Sequence, residues 1–100
     1  MSIKIQVNKQ KLAKLCRESN IRKLWLFGSV LRDDFTPESD VDVLVRFEPE
    51  QIPGFGIFRI EEGLSALMEK RKIDLVVEEE LNDRIKDHPF FQRQVIYEKG

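Results

Sequence analysis

Two aspartates flanking a valine, Asp40-Val41-Asp42, follow a Gly28-Ser29 pair with ten residues, 30–39, between them. On an extended strand, residues i and i+2 face the same side, so both carboxylates point together. Carboxylates forced side by side repel and resist ionisation, a penalty that a bound divalent cation removes. Hard oxygen ligands on one face suit Mg²⁺, which is usually completed by water and substrate phosphates. Gly28 permits close backbone approach, and a Gly-Ser opening of a helical turn offers N–H groups and a hydroxyl that suit a phosphate. A third carboxylate, Asp74, lies between Ile73 and Leu75. An acid in an apolar strand is costly unless it is paired, metal-bound or at an exposed edge. If its strand neighbours that of Asp42, Asp74 joins the same cluster.

Taken singly, these residues have plainer readings. Asp33, Asp34 and Asp40 suit a solvated loop, and Ser39 or Asp40 suits a turn cap. A strand, Gly-Ser, ten residues, Asp-x-Asp on a second strand and a further strand-borne Asp are together harder to explain without a nucleotide and a metal.

The elements that must hold these residues follow from periodicity. Asn8 is placed to cap a helix through KQKLAKLCRES, with Leu12, Leu15 and Cys16 on one face and Asn20 at its end. Residues 22–27 read as a short buried strand stopped by Gly28, and 29–32 as a helical turn. Residues 33–39 form a loop containing Pro37, and 41–47 a second strand rich in β-branched residues. Ile57, Ile60, Leu64, Leu67 and Met68 recur at helical spacing, predicting a helix from about 55 to 70. Gly63 weakens it by roughly 1 kcal/mol relative to Ala. Residues 72–77 are a third strand, and 78–97 are expected to be helical in two pieces broken at Pro89. The expected fold is α/β (α+β): a small mixed sheet packed with helices. A helical crossover suits the second and third strands, whereas the first two are too close in sequence for a full βαβ unit.

Composition sets limits. One hundred residues predict one domain, 1–100. With 17 basic and 18 acidic residues the net charge is −1, which gives no global case for nucleic-acid or membrane binding. An anionic ligand therefore needs a locally built site. The N-terminus lacks the apolar core of a signal peptide, and no stretch approaches the ~20 apolar residues that span a bilayer. The expected location is cytoplasmic. Cys16, the single cysteine, reads as core packing rather than as a reactive thiol.

Gly-Ser, ten residues, then Asp-x-Asp is the signature of the polymerase-β-like nucleotidyltransferase superfamily, met here without a gap. The chain resembles the minimal nucleotidyltransferases (MNT) that partner HEPN proteins in prokaryotic toxin–antitoxin pairs. The Ser39-to-Val45 run and Ile73-Asp74-Leu75-Val76 both fit that pattern. The resemblance implies a polymerase-β-like fold, with Asp40 and Asp42 as catalytic metal ligands. It implies Asp74 as the third carboxylate, ligating metal or accepting the proton of the acceptor hydroxyl. Gly28 and Ser29 would hold the triphosphate and Arg32 would contact a phosphate. Val30 and Asp33 depart from the family pattern, which often has a small or basic residue and a glycine there; this bears on phosphate contact, not on the metal carboxylates.

The implied reaction is transfer of AMP from ATP, with Mg²⁺, to a tyrosine of a HEPN RNase toxin, which silences the toxin. A non-catalytic antitoxin acting by occlusion is one alternative, though three costly acids argue against a decayed site. A small-molecule nucleotidyltransferase is another, although those resemble longer chains. Arg84, three residues, then His88 is too short for the Arg–His spacing of HEPN RNases, so His88 reads as a helix-end residue. Pro89-Phe90-Phe91 and Val95-Ile96-Tyr97 are candidate interface pieces, with a C-terminal helix packed on the sheet as the plainer reading.

Overall fold

The computed structural model describes residues 7–31, 36, 39–51, 54–80 and 92–99. The first helix, α1 (Lys9–Glu18), begins at Asn8, whose side chain accepts from the Lys11 N–H at 3.0 Å. It ends in the left-handed backbone of Asn20, φ 58°. That conformation is tolerated by asparagine better than by most residues. Leu12 and Cys16 are its buried stripe.

Strand β1 (Ile21–Phe27) leads into a 3-10 turn, Gly28–Leu31. Then follow β2 (Val41–Phe47), helix α2 (Ile57–Leu67) and β3 (Ile73–Val77). A 3-10 turn, Gly54–Gly56, precedes α2, which stops earlier than its apolar pattern suggests. Glu69 and Lys70 are left-handed at φ 62° and 59°, and the Ser65 hydroxyl donates to the Arg71 carbonyl at 2.6 Å across that corner.

The C-terminal segment corrects the helical expectation. Residues Arg93–Glu98 form strand β4, antiparallel to β1. Val95, Ile96 and Tyr97 are β-branched or aromatic and fit a pleated surface better than a helix. Pairing them with β1 also satisfies backbone groups that would otherwise line an open edge. The expected break at Pro89 lies outside the described residues, as do His88, Phe90 and Phe91.

The sheet order is β3-β2-β1-β4. β1 and β2 are antiparallel, while β2 and β3 are parallel and joined through α2. The sheet is therefore mixed, and the crossover expected between the second and third strands is present.

Core residues alternate along the strands: Leu24 and Leu26 of β1, Val41, Val43, Val45 and Phe47 of β2, and Ile73 and Val77 of β3 meet Leu12, Cys16, Ile60 and Leu64 from the helices. Where α1 crosses α2, a Cβ on Gly63 would stand 3.0 Å from Leu15 Cδ1, so the glycine that weakens α2 also admits α1. No helix among the described residues is long and apolar enough to cross a membrane.

Candidate active site

Residues of the opposite parity occupy the other face of the sheet. Along β2 these are Asp42, Leu44 and Arg46, and in register with them on β1 are Phe27, Trp25 and Lys23. In the parallel pair, Asp42 stands opposite Asp74 and Leu44 opposite Val76. Paired residues of a ladder share a face, so the two carboxylates of different strands are neighbours. Asp40 precedes β2 by one residue and has the parity of Asp42. Asp40 and Asp74 are exposed, and Asp42 is half-buried.

Gly28 lies against this acid row. Its φ is +74°, and a Cβ there would overlap the Asp42 carboxylate, standing 3.1 Å from Cγ. Both the left-handed backbone and the close carboxylate exclude an ordinary side chain. The Gly28–Leu31 turn thus begins beside Asp42, bringing together the Gly-Ser pair and the DxD pair that lie ten residues apart in sequence. Arg32 lies outside the described residues, and Ser29 is described only through its backbone.

The approach to Asp40 is braced by Ser39 together with Thr36 and Arg71, which sequence reasoning passed over. The Thr36 N–H donates to Ser39 Oγ at 3.0 Å, and the Ser39 N–H donates to the Thr36 carbonyl at 3.0 Å. This closes a small turn, the role the sequence suggested for Ser39. Arg71, just before β3, donates from Nη1 to the Thr36 carbonyl at 2.9 Å. The Val41 N–H donates to the Lys72 carbonyl at 2.9 Å, so the ladder between β2 and β3 begins at the acids.

Further along the same face the chemistry reverses sign. Trp25 and Leu44 are buried, at 3% and 0% exposure, yet neither belongs to the main core. Among the described residues three cations cover the indole: Lys23 Nζ at 5.1 Å, Arg46 Cζ at 5.2 Å and Arg93 Cζ at 5.0 Å from the ring centroid. Glu78 grips Arg46 with both oxygens, and its hydrogen bonds hold the guanidinium above its ordinary pKa. The position of Arg46, four residues after Asp42, was a readable signal for its face; Glu78 was hidden in a run of three glutamates.

Among the described residues, no three acidic, histidine or cysteine side chains are gathered into a metal-holding group as they stand. What the backbone provides is the placement: two strands in register at Asp42 and Asp74, Asp40 leading in, and Gly28 behind. The donors are all carboxylate oxygens, which match Mg²⁺ rather than a softer ion.

Residues 9–99 match the nucleotidyltransferase domain family, and the chain belongs to it. Over 78 residues it is 38% identical to the protein adenylyltransferase MntA of Thermococcus cleftensis, covering 77% of this chain and 74% of that protein. Its fold is also that of a toxin–antitoxin crystal structure with AMP-PNP, at 18% identity and a TM-score of 0.67 over 93% of this chain and 75% of the other. A tri-AMPylated Shewanella oneidensis HEPN toxin in complex with MNT antitoxin gives a TM-score of 0.60, at 18% identity over 91% of this chain and 70% of that one.

Proposed function

We propose that this chain, acting as one minimal domain, transfers AMP from ATP to a tyrosine of a HEPN-type toxin and thereby neutralises it. The observation that carries the reading is the parallel register of Asp42 with Asp74, with Gly28 packed on Asp42. The kinship with a protein adenylyltransferase supports AMP as the transferred group, and the AMPylated HEPN toxin seen with an MNT antitoxin supports the acceptor.

In this reading Asp40, Asp42 and Asp74 hold Mg²⁺, which when bound neutralises phosphate oxygens and helps align the attacking and leaving groups. Gly28 and Ser29 bind the triphosphate through N–H groups at the start of the turn, and Arg32 adds a positive charge. In the same reading Asp74 takes the proton of the acceptor hydroxyl. That oxygen attacks the α-phosphorus, the bond to the β-phosphate bridging oxygen breaks, and pyrophosphate leaves. The location proposed for this reaction is the cytoplasm, where ATP and the toxin meet.

The test incubates the chain with labelled ATP, Mg²⁺ and a HEPN partner, and locates label by mass spectrometry. Label on a partner tyrosine is expected, and Asp40→Asn or Asp42→Asn should reduce it by at least ~100-fold, a few kcal/mol of transition-state stabilisation. Neutralisation by either variant at full strength, without label, would make this an occluding antitoxin instead.

A further inference from the structure

The site face of β2 and β3 carries a graded series of pairs: Asp42 with Asp74, Leu44 with Val76, and then Arg46 with Glu78. Arg46 Nε donates to Glu78 Oε1 at 2.8 Å and Nη2 to Oε2 at 2.9 Å. Glu78 follows β3 directly, so this ion pair continues the parallel register one step beyond Val45 and Val77. Glu78 Oε2 also lies 3.5 Å from Arg93 Nη1 of β4, and both guanidiniums lie over Trp25 of β1. One carboxylate thus ties all four strands together across the face that bears the acids.

The acid pair works against that register, because like charges opposite one another destabilise a ladder. A one-residue slip of β3 is resisted, since it would turn Ile73 and Val77 out of the core. A two-residue slip is not resisted in this way: it keeps the same residues on the core face while parting Asp74 from Asp42. It would also break the two-pronged Arg46–Glu78 pair, whose fork geometry is specific.

We propose that Glu78 is a positioning residue: by gripping Arg46 and Arg93 over Trp25 it fixes the register of β3, so that Asp42 and Asp74 stand opposite one another before any metal binds. The proposal rests on the reading of these acids as the metal site. Its test separates the two.

Amide hydrogen exchange of Ile73–Val77 is measured in the full chain without divalent ions. Glu78→Ala should speed exchange in β3 by about tenfold or more, and Glu78→Gln, which keeps the shape and part of the hydrogen bonding, by less. Adding Asp74→Asn to Glu78→Ala should restore most of the protection, because it removes the repulsion that the grip opposes. Unchanged exchange in both Glu78 variants, or a loss that Asp74→Asn does not relieve, overturns the proposal. Addition of Mg²⁺ to Glu78→Ala is a separate arm. Renewed protection supports both readings, whereas rescue by Asp74→Asn without rescue by Mg²⁺ upholds the grip and removes the metal.

Discussion

Gly28 and Asp42 form one unit at the scale of single residues. The glycine is needed twice, for a φ of +74° and for the space that the Asp42 carboxylate fills. Gly28→Ala should therefore cost about 1–3 kcal/mol in urea unfolding through backbone strain. Its loss of nucleotidyl transfer should be larger than that strain accounts for, since the new methyl displaces Asp42. Cys16 gives a prediction of the opposite kind. It is fully buried, and desolvation pushes its thiol from an ordinary 9.0 up to about 12. At pH 8 the native protein should not react with a thiol-titrating disulfide reagent, and urea should release one reactive thiol. As pH rises from 9 towards 12, the unfolded chain loses this proton before the folded one does. Stability should fall across that window. Most of the acid site was legible because motif spacing and strand parity are local facts. Arg71 on the Thr36 carbonyl and Glu78 on Arg46 were not, since each joins residues more than thirty apart, and only the fold sets such distances.

Among the elements, both helices, β1, β2 and β3 were readable from apolar period, caps and glycine stops. The end of the chain was not. Val95-Ile96-Tyr97 fits a strand by residue type, but its partner, β1, lies some seventy residues earlier. No pattern within 78–97 announces that pairing. Helix packing carries its own prediction. Gly63 faces Leu15 so closely that even a methyl group would press on it. Gly63→Val should cost about 1–3 kcal/mol by overpacking, offset only by the ~0.3 kcal/mol that valine gains over glycine in helix propensity, measured as a shift in urea midpoint with unchanged slope. Transfer activity should survive in the fraction that remains folded, because α1 and α2 lie on the face away from Asp42.

For the molecule as a whole, the described residues build one sheet with helices on one face and the acids on the other. With a net charge of −1, long-range attraction to a nucleic-acid acceptor is not a general property of this chain. An acceptor protein has to bring its hydroxyl to the acid row by contacts of its own. Under dilute conditions the initial rate of labelling should therefore rise linearly with partner concentration. Asp42→Asn should bind the partner about as tightly as the parent while labelling none of it, as measured by calorimetry beside the label assay.

The strand order also has a consequence for assembly. When β3 has docked on β2, every acid of the row is in place, but β1 still lacks β4. Until β4 docks, the chain presents the unpaired edge of Ile21–Phe27, an apolar strand able to recruit another strand. Truncation before Arg93 should therefore raise the insoluble fraction, measured by sedimentation beside the full chain.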